Sequence, residues 1–172
     1  DGRGENIMNP TTVVEMDEDS YMEMETTQIK GVDSTVRTTN AKLGPRATLI
    51  IREKVMTHGK QLAKSDFTVD LDGEDCHTNV ISRSVAKDQS RQVFLARING
   101  NARCYGHSEC DAIIMDHASV IASPALTANS VDASLIHEAA IGKIAGEQLI
   151  KLMTLGLTEK EAEDQIVNGF LK

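Results

Sequence analysis

The feature that most constrains this chain is a rhythm of short alternating runs, broken by polar turns, from Val13 to about residue 137. Phe67, Val69 and Leu71 alternate with Thr68 and Asp70 until Asp72-Gly73 turns the chain. Similar runs begin near Val13, Tyr21, Ile29, Val36, Thr48, His77 and Arg91. Alternation at period two places successive side chains on opposite faces of a strand, and no 3.6-residue apolar period holds across the region. About ten strands are therefore expected, with Gly44-Pro45 and Asn99-Gly100 among the turns.

Composition decides how such strands stack. Aromatic residues are only 3% of the 172 and Trp is absent, although 40% of the chain is apolar. Bulk must come from Val, Ile, Leu, Ala and Met, which suits a thin layered core. The runs share little identity, so the rhythm alone fits a solenoid, a sandwich or a barrel. The scarcity of aromatics and of tight hairpin turns favours a β-solenoid. A left-handed hexapeptide coil of the acyltransferase kind would need a six-residue apolar repeat, which is not present.

The end of the chain changes character. Gly146 reads as an N-cap with Glu147 in the first turn, and Leu149, Leu152 and Met153 share a helical face that Gly156 terminates. Thr158 and Glu161 form a capping box opening a second helix, in which Ala162, Ile166 and Val167 face one way and Asn168-Gly169 is expected to stop the run. A β core over residues 1–137 and a helical hairpin over 138–172 follow. Asp1 in place of Met suggests that an N-terminal part precedes this stretch, and residues 1–10 read as a loose end.

The net charge of −8 argues against a nucleic-acid surface. No apolar run approaches the length of a membrane span. Three cysteines make a disulfide framework unlikely and suit a reducing, cytoplasmic setting. There is no P-loop, no G-x-G-x-x-G and no G-x-S-x-G.

Residues 101–117 concentrate Cys104, Cys110, His107 and His117. On a strand, Ala102, Cys104, Gly106, Ser108 and Cys110 share a face of small residues that should point inward, with Arg103, Tyr105, His107 and Glu109 outside. Buried inert thiols are one reading. A metal site is the other, although the Cys-x5-Cys spacing matches no zinc ribbon. Val131, Ala133, Leu135 and His137 share an inward row, so His137 sits at its end as a ligand, a proton shuttle or a hydrogen-bonded core histidine. Glu138 faces the opposite way, and His58 and His117 are expected in solvent.

The order of several segments carries a further signal. SRSVAK at 82–87, NAR at 101–103, ECDAII at 109–114, HEAAIGKI at 137–144, EQL at 147–149, LGLTEKEA at 155–162 and IVNGF at 166–170 together resemble the core of the SufB/SufD family, scaffold proteins of iron–sulfur cluster assembly. The resemblance implies a right-handed parallel β-helix followed by a short helical region. It implies a scaffold rather than a turnover enzyme. Its partners would be a SufC-type ABC ATPase docked on the helices, a second copy or a paralogue paired through the β-helix, and a sulfur donor system. Cys110 matches the cysteine implicated in cluster assembly, His137 a histidine of both branches, and Glu138 a SufB-type glutamate. These three are candidate ligands of a transient iron–sulfur cluster. Leu149, Leu152, Met153, Ile166 and Phe170 are candidate ATPase contacts. Gly142 stands where SufB-type chains carry Ser, and Ser123-Pro124-Ala125-Leu126 lacks their aromatic Pro-Tyr segment, so the chain mixes features of both branches. A β-solenoid interaction module with structural cysteines is the alternative.

Overall fold

The computed structural model describes residues 6–29 and 31–172. Eleven strands precede two helices: β1 Ile7–Met8, β2 Thr11–Met16, β3 Tyr21–Gln28, β4 Ser34–Leu43, β5 Thr48–Thr57, β6 Leu62–Leu71, β7 Cys76–Ala86, β8 Arg91–Gly100, β9 Cys104–Ile114, β10 Ser119–Ala128, β11 Ala133–Gly142, α1 Gly146–Thr154 and α2 Glu159–Phe170. Consecutive long strands do not pair. Each pairs in parallel with the strand two places along, giving a 6-stranded sheet ordered β1-β4-β6-β8-β10, with β2 also on β4, and a 5-stranded sheet ordered β11-β9-β7-β5-β3. The chain is a parallel β-solenoid of two facing sheets, as the turn chemistry and the thin apolar composition lead one to expect.

Register sets the coil. Ser34 lies beside Leu62 and Leu62 beside Arg91, while Cys76 lies beside Cys104 and Cys104 beside Ala133. One turn takes 28 or 29 residues along this stretch and 27 at the start of the coil, where Tyr21 lies beside Thr48 and Thr11 beside Thr38, and polar ladders record the same separations. Interior positions stack as columns: Met24, Ile51, Val80, Ser108 and His137 form one, and Thr26, Glu53, Ser82, Cys110 and Ala139 the next. The main core runs from Val14 and Met16 through Leu49, Phe67 and Val69 to Ile98 and Cys110.

The corners repeat too. Asp19, Arg46 and Asp75 occupy one corner on successive turns, each in the left-handed region at φ 59°, 55° and 59°. Asp tolerates that conformation because its side chain bonds locally. Charges alternate along this corner: Arg46 Nε donates to Asp19 at 2.6 Å, and Arg103 Nη2 donates to Asp75 at 2.7 Å. These pairs are exposed and contribute little stability each, but they favour one register over a slipped one.

Several sequence expectations need correction. The long strands run to ten or eleven residues, longer than the short runs read from the sequence. Asn99-Gly100 is not a turn but the end of β8, and the corner falls at 101–103. Its glycine is needed for space: a Cβ on Gly100 would come 2.7 Å from Ala133 Cβ. The described residues of the run expected over 29–32 form a corner, with Gly31 at φ 89°. The loose end expected over 1–10 lies partly outside the described residues, and its remainder includes β1 on β4. Val131 leaves the inward row, being fully exposed in the turn before β11. That strand runs beyond His137 to Gly142.

The helices follow the sequence more closely. Thr158 and Glu161 make the full capping box. Ala145, not Gly146, is the N-cap of α1 and supplies no side-chain cap. Asn168-Gly169 does not stop α2, which continues to Phe170. The cause is packing: Val167, Phe170 and Leu171 sit with Met56, Val85, Ile113 and Met115 in a second apolar cluster that holds the last helical turn against the coil. No described helix is long and apolar enough to cross a membrane.

Candidate functional site

Parity along β9 and β11 divides the candidate residues between two faces. Cys104, Gly106, Ser108 and Cys110 point into the coil as the alternation requires, and Cys110 is 1% exposed. His137 also points inward, on the last strand of its sheet, with Ser108 beside it in register. Ala139 lies beside Cys110, so Cys110 and His137 are diagonal neighbours on the inner face. Strand spacing of about 4.8 Å and a two-residue offset of about 6.6 Å put their Cβ atoms roughly 8 Å apart. Glu138 is exposed on the outer face and does not join them.

The polar atoms at this inner site lack partners. Ser108 Oγ and His137 Nδ1 are both buried without a hydrogen bond, and only Thr39 Oγ1 shares that condition among the described residues. Buried polar atoms are nearly always satisfied, so two orphans on adjacent strands are an exception to the rule. They sit where the coil stops. Among the described residues nothing pairs with the free edges of β10 and β11. Apolar residues of this last turn are exposed on both of its faces, including Ile121, Leu126, Ile136 and Ile141.

Electrostatics keep Cys110 protonated. Burial first, then the charges of Asp111 and Glu53, push its thiol up to about 12. Glu53 is itself buried in the same column. Its carboxylate accepts from Ser65 Oγ at 2.5 Å and from Ser82 Oγ at 3.1 Å, and Arg37 Nε stands 3.7 Å away. Burial raises the Glu53 carboxyl above the usual range, against the opposing pull of Ser65, Arg37 and Ser82. A cation beside Cys110 would meet a soft sulfur and would reverse the penalty on the thiolate. Cys104, at the start of the same strand, stacks in register on Cys76 of β7, with burial the leading cause of both raised thiols.

The outer face of the same strands carries a separate cluster. His107, Glu109 and Glu138 bring one donor atom each to within 4.8 Å of one another. His107 Nε2 lies 3.2 Å from Glu138 and its Nδ1 lies 3.0 Å from Asn79 Oδ1. The alternation placed His107 and Glu109 outside, but their meeting with Glu138 depends on a turn-length offset that single-strand parity does not contain. Glu53 could have been found from the sequence, since it interrupts the inward row Leu49, Ile51, Val55.

The tail residues divide likewise. Leu149 and Leu152 are half-buried, Met153 is exposed, and α1 buries no residue. Ile150 and Leu155 add 63% and 76% exposed apolar side chains beside them. Ile166 and Phe170 are both half-buried, Phe170 packing in the second apolar cluster.

The sequence matches the family described as SUF system FeS cluster assembly, SufBD core domain, over residues 3–170. It is 31% identical over 170 residues to an iron–sulfur cluster assembly SufBD family protein of Methanocaldococcus jannaschii, covering 98% of this chain and 54% of that one. A relative of the same description from Pyrococcus horikoshii is 37% identical over 127 residues, covering 69% of this chain and 28% of the other. One from Archaeoglobus fulgidus is 34% identical over 128 residues, covering 73% and 34%. The chain thus spans about half, or less, of the length of these relatives.

Proposed function

This chain belongs to the SufBD family of iron–sulfur cluster assembly proteins, and from that premise we propose that it is a scaffold of a SUF-type complex on which a cluster forms and from which it is passed on. On this reading it turns over no substrate of its own, and the cluster is cargo, held transiently. The observation that carries the proposal is the placing of Cys110 and His137 as diagonal neighbours, roughly 8 Å apart, on the inner face at the open end of the coil, beside the orphaned Ser108 hydroxyl and with the imidazole's own Nδ1 unpartnered. A thiolate and an imidazole are suitable ligands for iron. Glu138 points away from this pair and has no part in it here.

The free edges of β10 and β11 support pairing with a second copy or a SufB/SufD-type paralogue, since an unpaired strand edge flanked by apolar side chains is a template for another chain. Pairing there would enclose Cys110 and His137 and supply the remaining ligands. The unburied apolar face of α1, with Leu149, Leu152 and Met153, supports docking of a SufC-type ABC ATPase. A sulfur donor system would feed the complex, in the cytoplasm.

A second reading is favoured by one fact, the deep burial and raised ionisation of Cys110. On it the chain is an interaction module whose thiols only fill space. Anaerobic reconstitution with iron and sulfide separates the two. Cys110→Ala and His137→Ala should each hold less than half the cluster of the parent chain, read from visible absorbance and bound iron. Equal cluster content in all three establishes the second reading. For the helices, Met153→Glu should weaken capture of a SufC-type ATPase, and unchanged capture removes α1 from the interface.

A further inference from the structure

We infer that the outer face of the last two turns carries a binding site for a single divalent metal ion, formed by His107, Glu109 and Glu138 and distinct from the inward-facing Cys110 and His137. His107 and Glu109 alternate on the outer side of β9, and Glu138 lies directly beside Glu109 in register on β11. Like charges on adjacent strands repel; Arg83 and His107 offset part of that repulsion, and a divalent ion between the two carboxylates would offset more.

The hydrogen bonds of His107 point the same way. Its Nδ1 lies 3.0 Å from Asn79 Oδ1, which can only accept, so Nδ1 carries the proton. Nε2 then faces Glu138 Oε2 at 3.2 Å, a contact that a proton on Nε2 bridges in the imidazolium and that a divalent ion would bridge in the proton's place. The second-ring bond to Asn79 is the arrangement by which metal-bound imidazoles are oriented and their tautomer fixed. Asn79 lies outside the cluster, on β7, and would hold the imidazole in place for an ion at Nε2.

Distances fit as well. Donors about 2.1 Å from one ion lie about 3.0 to 3.4 Å apart when they sit side by side in its shell. The His107–Glu138 separation of 3.2 Å is already within that range. The full set spans 4.8 Å, which a rotation of the Glu109 or Glu138 carboxylate closes. Arg83 offsets part of the charge on Glu109 from the neighbouring strand. One imidazole and two carboxylates, without sulfur, suit Fe(II), Mn(II) or Zn(II) with positions left for water. Such a set takes an ion and not a cluster. The site itself goes beyond the assembly reading. Only the identification of the ion as ferrous cargo, waiting a strand's thickness from Cys110, rests on it.

The test is an anaerobic equilibrium titration of the full chain with Fe(II), repeated with Zn(II) as a redox-silent probe. One equivalent should bind. His107→Ala and Glu109→Gln should each weaken binding at least 10-fold, and Asn79→Ala about 10- to 100-fold through the lost orientation of the imidazole. Cys110→Ala should bind as the parent does. A Co(II) derivative should show weak d–d absorbance and no sulfur-to-metal charge transfer. Circular dichroism establishes that each variant is folded, and Glu109→Gln preserves shape where a truncation would not. Absent binding by the parent chain, unchanged affinity in both His107→Ala and Glu109→Gln, or loss in Cys110→Ala overturns the site. Failure of the assembly reading looks different: cluster reconstitution would survive Cys110→Ala while ion binding remained sensitive to His107.

Discussion

Cys110 should resist alkylation in the folded chain by at least about 30-fold relative to the unfolded chain. The thiol rises to about 12 from an ordinary 9.0, so at pH 8 the thiolate falls from about 10% to about 0.01% of the population. That is a loss of about 1,000-fold in reactive species. A more basic thiolate is also a better nucleophile, with a Brønsted slope of about 0.4–0.5, which returns roughly 15- to 30-fold over three pH units. The remainder is a factor of about 30 to 60 from ionisation alone. Burial adds to it, because the side chain is 1% exposed and Ala139 on β11 lies beside it, so reagent must await local opening.

The measurement is a time course with iodoacetamide at about pH 8, quenched, digested and read by mass spectrometry for each cysteine peptide, in buffer and in urea. Cys76, pushed up to about 11, should fall behind its unfolded rate by about 10-fold on the same arithmetic, before burial is counted. Native labelling of Cys110 within about threefold of the unfolded rate would refute both its inward orientation and the electrostatic account of its thiol.

Four further outcomes follow from the structure. Gly106→Ala should destabilise by about 1–2 kcal/mol in urea denaturation, because its Cβ would lie 2.8 Å from Ile98 Cγ2 and from Leu135 Cδ2. Gly142→Ala, with nothing within 4 Å, should be neutral or stabilise by about 0.5 kcal/mol. For Glu53 the sign is set by its raised folded carboxyl: the wild type keeps its full stability below the unfolded value and loses some as pH rises through the folded one. Glu53→Gln should therefore match the wild type near about pH 4 and become relatively more stable toward neutrality, and a denaturation midpoint gap that shrinks with rising pH would contradict this. Thr158→Ala should cost α2 about 1 kcal/mol through loss of both arms of the capping box, read as faster amide exchange at Glu161 and Ala162.

Much of the fold was legible because a two-sheet coil obeys a local rule. Parity placed Cys104, Cys110, Phe67 and Val69 inside and His107 and Glu109 outside without reference to any other strand. The turn length was not legible. The column Met24, Ile51, Val80, Ser108, His137 contains five different residue types, since the interior asks only for inward parity and a fitting volume. Without the 27- to 29-residue offset, neither the diagonal approach of Cys110 to His137 nor the meeting of His107 with Glu138 can be written down. Asn99-Gly100 misled for a related reason: it signals a two-residue hairpin, whereas here Gly100 makes room for Ala133 one turn on.

Position in the coil, rather than residue type, separates Cys110 from the other thiols. Cys76 and Cys104 stack on each other one column from the corner, within the apolar core, and space filling accounts for both. Cys110 stacks on Ser82 and Glu53, one strand short of the free edge, with the orphaned His137 and Ser108 beside it. The alternation then splits each adjacent pair: Cys110 and His137 face in, while their neighbours Glu109 and Glu138 face out. Soft and hard donors therefore lie on opposite sides of the same two strands. A partner strand added to β11 would border both sets at once, so any change in pairing at that edge alters the inner thiol and the outer carboxylates together.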